Sequence, residues 1–348
     1  MAAAAQFRMP AEWAPQTRTW LAWPHQKADW PGKFEPIPWV FAEIARHVTA
    51  GQRLGLVVND AAAKRAAKKV LQRSNVNLTQ VDFLIAPTDR GWMRDCGAIW
   101  VHEAGGELIG LDWGFNGWAK YPNHKADNQL PAHMLSKSGH AGLAPTYKKR
   151  TVVLEGGGIE VDGEGSILVT EEWLLSKQQV RNKGFTRTDY EAIFAQYLGA
   201  TNTIWLEAGI VGDDTHGHVD DITRFVAPGK IVTAVESDKA DANYALLQEN
   251  LKRLKKARDA QGKTFEVIAL PMPRPVIFDG ERLPASYANF LICNHAVLVP
   301  VFNDPADAQA LTILQACFPT RQVIGIYARD LVWGLGTLHC LTQQEPAA

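Results

Sequence analysis

The sequence predicts an α/β fold built from repeated strand–helix–strand units, and three observations lead to this prediction. Aliphatic strands alternate with amphipathic helices, and short polar segments follow the strands. These segments recur at a nearly constant spacing: Asp95 and Glu155 are 60 residues apart, Glu155 and His218 are 63 apart, and His218 and Cys340 are 122 apart. Five units of about 61 residues, with a fifth polar segment near Asp279, would place equivalent positions on one side of a closed ring. We expect one domain over residues 1–348.

The first ninety residues contain an entry strand and a short helix, followed by the first unit. The pattern predicts the entry strand near Thr19 to Trp23 and the short helix from about Pro38. The first unit is then predicted to be a strand over Arg53 to Val58, a helix over Ala61 to Gln72 and a strand over Val81 to Ala86. Asp60 precedes the alanine- and lysine-rich segment, where its carboxylate would accept hydrogen bonds from the first helical amides. The polar residues after the last of these strands end at Arg94 and Asp95.

The remaining units repeat this order. The pattern predicts a short, weakly patterned helix near Leu130 to Ser136, a helix over Thr186 to Tyr197, a strand over Thr203 to Leu206, a helix over Ala242 to Ala257, a strand over Phe265 to Leu270, a helix from Asp304 to Cys317 and a strand over Gln322 to Tyr327. The helix before Phe265 carries its leucines on one stripe. The last helix is expected to begin with Asp304 as N-cap and Pro305 in its first turn.

The composition excludes several classes of partner. Lys and Arg number 36 against 37 for Asp and Glu, so no basic surface for nucleic acid or acidic lipid is indicated. Residues 1–5 lack a basic start followed by an apolar run, and no apolar stretch is long enough for a membrane span. We therefore expect a soluble, cytoplasmic protein whose partner is a small molecule. Its oligomeric state is open, and a homo-oligomer is compatible with the sequence.

The four cysteines are scattered without paired spacing, which favours free thiols in a reducing compartment. Cys293 and Cys317 lie in apolar runs and are expected to be packed in the core. Cys96, beside Asp95, is also expected to be a packed small residue. Cys340 differs because it follows a strand in a glycine-containing turn, eight residues from the end of the sequence.

The segment His216-Gly217-His218-Val219-Asp220 alternates polar side chains. On an extended backbone, His216, His218 and Asp220 would point to one face. Two imidazoles and a carboxylate could bind zinc or iron. Alternatively, one histidine could serve as a general acid and base beside a carboxylate that binds a cation. A hydrogen-bonded strand end without catalytic function is the third interpretation.

The combination of residues at matched positions favours chemistry on a cation. Asp95, Glu155 and Asp220 supply three carboxylates, His218 a proton carrier and Cys340 a nucleophile. A planar guanidinium suits paired carboxylates, because each can accept two hydrogen bonds. The positive charge of such a substrate would also lower the pKa of a thiol that faces it.

At these residues the chain resembles the agmatine deiminase family, which is grouped with the bacterial-type peptidylarginine deiminases in the guanidino-group-modifying superfamily. The motifs that carry the resemblance are Met9-Pro10-Ala11-Glu12-Trp13, Trp20-Leu21-Ala22-Trp23-Pro24, Trp92-Met93-Arg94-Asp95, Asp112-Trp113-Gly114-Phe115-Asn116-Gly117-Trp118, Leu154-Glu155-Gly156-Gly157, Gly217-His218-Val219-Asp220 and His339-Cys340-Leu341-Thr342-Gln343-Gln344. The resemblance implies a five-bladed α/β-propeller (pentein) with pseudo-fivefold symmetry and a hydrolase without a cofactor or metal.

The resemblance also implies roles for individual residues. Cys340 would be the nucleophile, His218 the general acid and base, and Asp95 and Asp220 would bind the guanidinium nitrogens, with Glu155 in the same pocket. The expected reaction converts agmatine to N-carbamoylputrescine and ammonia through a covalent thiouronium intermediate, a step of arginine metabolism towards putrescine. Three tryptophans are candidates for the walls of the pocket: Trp92, Trp113 and Trp118.

Three departures from the family pattern flank these residues, and they bear on substrate choice. Gly334-Leu335-Gly336-Thr337 stands where three glycines and an asparagine are usual, Arg90-Gly91 where an acidic and a small hydroxyl residue are common, and Ala98 where proline is frequent.

Several other activities remain open at this stage. Arg90 could bind the carboxylate of free arginine, so deimination of arginine or of arginine in peptides is the main alternative. An amidinotransferase would share the nucleophile. A metal-dependent hydrolase would use His216, His218 and Asp220 as ligands, and a binding protein without activity would not need Cys340.

Overall fold

The computed structural model describes residues 6–348. Residues 1–5, on which the expectation of no leader segment rests, lie outside the described residues. The helices are α1 (Ile37–Val48), α2 (Ala61–Arg73), α3 (Met93–Cys96), α4 (Leu130–Ser138), α5 (Glu171–Leu175), α6 (Arg187–Leu198), α7 (Asn243–Lys256) and α8 (Asp307–Cys317). Within residues 6–348, no helix has the length and apolar character needed to cross a membrane.

Most of the strands form five sheets of three or four strands each. The strands are β1 (Phe7–Arg8), β2 (Gln16–Ala22), β3 (Arg53–Val58), β4 (Val81–Ile85), β5 (Ile99–Glu103), β6 (Leu108–Leu111), β7 (Gly142–Leu143), β8 (Thr146–Tyr147), β9 (Arg150–Thr151), β10 (Glu160–Val161), β11 (Ser166–Thr170), β12 (Asn202–Leu206), β13 (Thr223–Ala227), β14 (Lys230–Val235), β15 (Glu266–Pro271), β16 (Ile277–Phe278), β17 (Glu281–Arg282), β18 (Leu291–Ile292), β19 (Ala296–Val301), β20 (Gln322–Tyr327) and β21 (Thr342–Pro346). The sheet orders are β21-β2-β3-β4, β1-β5-β6-β7, β10-β11-β12, β13-β14-β15 and β18-β19-β20.

One pattern recurs in all five sheets. An antiparallel strand pairs with a central strand, and the central strand pairs in parallel with a third strand. Parallel neighbours need a crossover connection, and a helix lies in each of these connections: α1, α4, α6, α7 and α8 in turn. The repeated unit that the spacing predicts is therefore present, with an antiparallel strand added to each unit.

The first sheet differs from the predicted first unit. The strands β3 and β4 with helix α2 were expected to be that unit, but the strand order shows that β2, α1 and β3 occupy the repeated positions. Helix α2 and β4 extend this sheet by one parallel strand. The antiparallel strand comes from the other end of the chain, since β21 pairs with β2.

Local hydrogen bonds explain where the helices begin. Asp60 accepts a hydrogen bond from the amide of Ala63 at 2.7 Å, as predicted for the N-cap of α2. Thr186 and Asp189 form a reciprocal capping box at the start of α6. The prediction for α8 was wrong, because this helix begins at Asp307. Asp304 instead accepts from the amide of Ala306 at 3.0 Å, within the turn that precedes the helix.

The largest hydrophobic cluster packs β2, β3 and β19 against α1, α2 and α8. A second cluster lies around α6 and the strands of the second and third sheets, and a third lies around α7. Cys293 is buried, as expected, and Cys317 is half-buried at the edge of the main cluster. The cores lie between each sheet and its crossover helix, so the polar segments after the strands remain at the ends of the sheets.

Each segment with candidate site residues directly precedes the antiparallel strand of a sheet. Asp95 lies before β5, Glu155 before β10, Asp220 before β13 and Cys340 before β21. The segment before β18 contains Asn289. This shared placement on five sheets is what brings residues so distant in sequence into contact.

Candidate active site

Cys340 lies in the turn that leads into β21, and its side chain is buried. The amide nitrogen of Asn289 donates to its Sγ at 3.0 Å, and Oδ2 of Asp220 lies 3.7 Å from the same sulfur. A Cβ on Gly336 would come within 3.2 Å of the sulfur, so this glycine leaves room beside the thiol. The nucleophile candidate is thus held between an amide donor and a carboxylate.

His218 is almost completely buried between two carboxylates. Its Nε2 lies 3.3 Å from Oε2 of Glu155, and its Nδ1 lies 3.7 Å from Oδ1 of Asp95. Burial lowers the pKa of the imidazole, but the negative charges of Asp95, Glu155 and Asp220 outweigh burial and raise it to about 9. His218 is therefore protonated at neutral pH.

Glu155 is a fixed anion behind this histidine. Arg181 Nε donates to its Oε1 at 3.0 Å, and Trp173 Nε1 donates to its Oε2 at 2.6 Å. Burial raises the pKa of this carboxyl, but the positive charges of Arg181 and His218 lower it to about 2. Protein donors occupy its acceptor sites and hold the carboxylate in place. Glu155 therefore orients His218.

Asp95 faces the same histidine from α3. Trp118 Nε1 donates to its Oδ2 at 2.8 Å, and the amide of Gly157 donates to its Oδ1 at 3.0 Å. Burial raises the pKa of Asp95 to about 6; His218 opposes this rise, and the negative charge of Glu155 adds to it. Asp95 is thus ionised only above mildly acidic pH.

Gly157 lies at the centre of the carboxylates and the histidine. A Cβ at this position would lie 2.6 Å from His218 Nδ1, 2.9 Å from Asp95 Oδ1 and 3.2 Å from Asp220 Oδ2. These separations are too short for a methyl group, so only glycine allows the three groups to converge.

Asp220 is completely buried. His339 Nδ1 lies 2.7 Å from its Oδ2. Burial raises the pKa of this carboxyl, but the hydrogen bond and charge of His339 outweigh burial and hold it below the ordinary value. Within residues 6–348, Oδ1 of Asp220 and Nδ1 of His218 have no hydrogen-bond partner. Buried polar atoms normally have partners, so both atoms are available to a substrate.

The thiol of Cys340 is protonated in the absence of a cation. Burial raises its pKa well above the ordinary value, and the negative charges of Asp220, Asp221 and Asp95 raise it further. Asp221 is itself buried, and burial and the charge of Asp220 raise its pKa well above the ordinary range. A positive charge placed between these carboxylates would reverse the effect on the thiol.

A cavity of about 360 Å³ reaches Cys340 and Asp95 from the surface. Trp92 and Trp118 line it, as expected for two of the three tryptophans. The expectation for Trp113 was wrong: this side chain is buried in the second hydrophobic cluster, edge-on to Tyr197. Both Trp113 and Trp118 belong to the motif that begins at Asp112. Only the fold shows that Trp118 lines the cavity while Trp113 lies in the core.

The same cavity contains a second group of charged residues, formed by Asp29, Arg90 and Asp214 around the side chain of Tyr121. Arg90 forms an ion pair with Asp29 and lies 4.0 Å above the ring of Tyr121. The Tyr121 hydroxyl donates to Asp214 at 2.8 Å, and Lys120 pairs with Asp214. Burial raises the pKa of Asp29 to about 6, although Arg90 opposes this.

His216 does not join His218 and Asp220, so the geometry does not support the alternative of a metal bound by these three residues. The backbone is not extended here, because His216 and Gly217 have φ of 66° and 100°. His216 instead lies 2.9 Å from the hydroxyl of Ser176. Among the described residues, two other groups have ligand atoms within 4.8 Å of one another: Glu12, Glu160 and His339, and Asp220, Asp221 and Cys340. In the first group, Arg224 already pairs with both glutamates.

The fifth polar segment is centred on Asn289, and the expectation of Asp279 was wrong. Asp279 lies at φ 51° in the turn of the β16–β17 hairpin. This hairpin lies between β15 and the site, which places the functional segment ten residues later than the spacing predicts. Asn289 donates to Asp221 Oδ1 as well as to Cys340, and its own Oδ1 accepts from Thr337.

The chain is similar to known proteins over nearly its whole length. The profile of the Porphyromonas-type peptidyl-arginine deiminase family matches residues 8–346. The chain belongs to this family. An agmatine deiminase of Pseudomonas putida is 35% identical over 98% of this chain and 96% of its own length, and one of Pseudomonas syringae is 36% identical with the same coverage. The structure of the agmatine deiminase of Enterococcus faecalis has a TM-score of 0.90 at 30% identity, and the match covers 99% of this chain and 98% of that one.

In this member of the deiminase family, the arrangement can bind and attack a planar cation. Asp95 and Asp220 can accept hydrogen bonds from a guanidinium, and His218 can donate a proton beside them. Sequence reasoning missed four other contributors: Asn289 and His339, which contact Cys340 and Asp220, and Arg181 and Trp173, which hold Glu155. The sequence could have indicated His339, because it directly precedes Cys340. The positions of the other three residues depend on the fold.

Proposed function

We propose that this protein is an agmatine deiminase that hydrolyses agmatine to N-carbamoylputrescine and ammonia. The observation that carries the proposal is the position of Cys340 at a cavity shared with Asp95, beside buried Asp220 and a protonated His218. The relatives named agmatine deiminase, which match this chain over nearly its full length, support the same substrate.

In the first half of the proposed reaction, the guanidinium binds between Asp95 and Asp220. Its positive charge lowers the pKa of the Cys340 thiol, which loses its proton to solvent, and the resulting thiolate attacks the guanidinium carbon to form a C–S bond. The imidazolium of His218 donates its proton to the departing nitrogen as the C–N bond breaks. Ammonia leaves, and a thiouronium remains attached to Cys340.

In the second half, neutral His218 removes a proton from water as the water oxygen attacks the same carbon. The C–S bond then breaks and the electron pair returns to sulfur. The remaining hydroxyl proton passes to the sulfur, which regenerates the thiol, and the ureido product leaves. Glu155 keeps the imidazole in place throughout, because its own acceptor sites are held by Arg181 and Trp173. The two aspartates contribute by positioning the substrate carbon in line with the sulfur.

The second charged group in the cavity favours a substrate without a carboxylate over free arginine. Arg90 is paired with Asp29 and stacked on Tyr121, so its charge is not free to bind a carboxylate. Lys120 is paired with Asp214 in the same way, and agmatine lacks the carboxylate of arginine and keeps only the ammonium. Deimination of arginine or of arginine in peptides remains the second candidate, because Arg90 lines the cavity.

We also propose the arrangement of the whole chain. The five sheets with one repeated strand order support a five-bladed α/β-propeller with pseudo-fivefold symmetry, contained in a single domain. The free cysteines support a reducing, cytoplasmic location.

The test is ammonia release from agmatine, free arginine and a blocked arginine peptide, with metal chelator present. Wild type is compared with Cys340→Ala and with Cys293→Ala, which removes a thiol that is equally buried but lies in the hydrophobic core. We expect release from agmatine by wild type and Cys293→Ala, and a loss of at least about 1,000-fold in Cys340→Ala.

The outcomes separate the alternatives. Activity that survives in Cys340→Ala would overturn the covalent route. Activity confined to arginine or the peptide would retain the mechanism and establish the second candidate. Loss of activity on chelation would indicate a metal-dependent reaction.

A further inference from the structure

A buried line of alternating charges runs away from Cys340 beneath the site. Asp220 Oδ2 contacts His339 Nδ1 at 2.7 Å, and His339 Nε2 contacts Glu12 Oε2 at 2.8 Å. Glu12 in turn pairs with Arg224, which also binds Glu160 at 2.8 Å. All of these side chains are at most 5% exposed. Burying so many charges is costly unless they are paired, so their presence beside the site needs an explanation.

The two hydrogen bonds place one carboxylate against each ring nitrogen of His339, Asp220 at Nδ1 and Glu12 at Nε2. Burial raises the pKa of Glu12, but Arg224 and His339 outweigh burial and hold it well below the ordinary range, and the pKa of Asp220 is also lowered. The ring of His339 therefore bridges two buried acidic side chains.

The same contacts fix the orientation of Asp220. Its Oδ2 is the oxygen bound by His339, and it is also the one 3.7 Å from the sulfur of Cys340. Its Oδ1 is buried without a partner among residues 6–348. Rotation of the carboxylate out of this orientation would break the bond to His339. One oxygen is thus anchored, and the other remains available to a guanidinium nitrogen.

The backbone of His339 is fixed independently of its ring. Asn289 Oδ1 accepts from its amide at 3.1 Å, and Arg94 Nε donates to its carbonyl at 3.2 Å. The ring therefore projects from a rigid segment directly beside the nucleophile, and a change in the ring can alter Asp220 without releasing Cys340 from its turn.

We propose that His339 is a positioning residue which, anchored by Glu12, holds Asp220 in the orientation that binds the guanidinium. This inference rests on the proposed function and extends it to two residues that do not touch the substrate. Outer contacts to metal-binding side chains are typically worth about 10- to 100-fold in affinity or activity, and we expect an effect of the same order for this contact to a substrate-binding carboxylate.

The test compares two amides that each replace one half of the imidazole. In His339→Asn, the shorter side chain places its amide N–H near the position of Nδ1, so it can still donate to Asp220 and loses Glu12. In His339→Gln, the longer side chain reaches the position of Nε2, so it can donate to Glu12 and loses Asp220. The two variants replace the same ring at the same buried site, and each serves as the control for the other.

We expect kcat/KM to fall about 10-fold in His339→Asn and at least about 100-fold in His339→Gln. A structural role would give the opposite order, because Glu12 connects the N-terminal segment to the C-terminal turn and only the glutamine variant keeps that connection. Urea unfolding of both variants supplies the comparison. The proposal would be overturned if kcat/KM were lower in whichever variant is less stable to urea, or if both variants lost the same fraction of kcat/KM.

A second measurement keeps this test separate from that of the proposed function. Protection of Cys340 by agmatine against iodoacetamide, followed by peptide mass spectrometry, reports binding without turnover. We expect stronger protection in His339→Asn than in His339→Gln. A wild type that is protected but releases no ammonia would contradict the proposed reaction alone, whereas equal protection of the variants, or none in wild type, would overturn the positioning role.

Discussion

At the scale of single residues, the neighbours of Cys340 are anions, which is the opposite of the usual environment of a reactive thiol. Asp220, Asp221 and Asp95 all raise its pKa. This arrangement makes the nucleophile depend on the substrate, because only a bound cation neutralises the carboxylates. A thiol that stays protonated until the substrate arrives also resists alkylation and oxidation, since the thiolate is the reactive form.

The replacement Asp220→Asn should therefore change two reactivities in opposite directions. Loss of the negative charge lowers the pKa of Cys340, so alkylation by iodoacetamide at pH 8 should become about 3- to 10-fold faster than in wild type. Deimination should fall at least about 100-fold, because the guanidinium loses a charged acceptor. Alkylation is measured by mass spectrometry of the Cys340 peptide.

The control for this prediction is Asp112→Asn, which removes a half-buried carboxylate that is not among the main influences on Cys340. It should change neither rate. Slower alkylation in Asp220→Asn would mean that the aspartate supports the thiolate, contrary to the electrostatics of the site.

The pH dependence of kcat/KM follows from Asp95 and His218. Asp95 has a raised pKa of about 6, so its charged form, which binds the cation, is lost as the pH falls through 6. His218 has a raised pKa of about 9, so its acidic form is kept at neutral pH and lost as the pH rises through 9. We expect a bell-shaped profile with limbs near these values, measured between pH 5 and 10.

The variant Trp118→Phe tests whether Asp95 is the group that causes the acidic limb of the profile. The bond from Trp118 lowers the pKa of Asp95, so Trp118→Phe should move this limb to higher pH and leave the basic limb in place. An acidic limb near 4 in wild type, or one that does not respond to Trp118→Phe, would assign it to another group.

Residue identity was largely predictable from the sequence, and residue environment was not. The matched spacing of Asp95, Glu155 and His218 singled out three residues that the fold brings into contact. Arg90 was considered as a free cation, but its charge is taken up by Asp29. Asp29 lies 61 residues earlier, at the end of a short 3₁₀ helix, and no local pattern relates the two.

At the scale of elements, β21 connects the nucleophile to the core. It pairs with β2 along its length, and its Glu345 accepts from Trp20 Nε1 at 2.8 Å and from Arg18 at 3.2 Å. Glu345 is 1% exposed. The end of the chain is thus held by a ladder and by a buried acidic side chain, which explains how a cysteine so close to a terminus can have a fixed position.

Glu345→Ala should lower the free energy of unfolding by about 3 kcal/mol, because it leaves the Arg18 charge and the Trp20 N–H without their partner. Urea is the appropriate denaturant, since guanidinium resembles the substrate. The control is Glu266→Ala, whose ion pair with Lys230 is about half exposed, and it should cost less than about 1 kcal/mol. Equal effects would show that Glu345 does not anchor the strand.

The sequence predicted the longer elements well and the short ones poorly. Strands β3 and β20 have the predicted bounds, because six consecutive residues of a half-buried or buried strand carry a clear aliphatic pattern. Strands β10 and β18 contain two residues each, too few for any periodicity. The β16–β17 hairpin is equally short, and overlooking it led to the choice of Asp279 instead of Asn289.

At the scale of the whole molecule, the two ends of the chain meet in one sheet. Strand β21 pairs with β2, and the amide of Ala347 donates to the carbonyl of Pro15 at 2.8 Å. The first described strand, β1, pairs with β5 in the neighbouring sheet. The spacing of the polar segments predicted five units, but it could not show that the last strand completes the first sheet, because that pairing joins residues more than 300 positions apart.

A circular permutant tests whether the fold depends on this pairing or on the order of the chain. The eight residue-to-residue steps from Phe7 to Pro15 span at most about 27 Å, so a linker of about ten glycine and serine residues can join Ala348 to Gln6. New termini between Gly105 and Gly106 lie in the exposed turn that joins β5 and β6. We expect kcat/KM within about 3-fold of wild type, since exposed turns tolerate new termini.

The control permutant has its new termini between Leu56 and Val57, inside the buried central part of β3. It should lose its folded structure, because the cut interrupts a strand that pairs on both sides. Urea unfolding and ammonia release are measured for both proteins. If the permutant cut at Gly105 also lost its structure, the fold would depend on the original chain order, and pairing of β21 with β2 would not be sufficient to close it. If it remained active, the turn that carries Cys340 would be positioned by its sheet, whichever end of the chain that sheet belongs to.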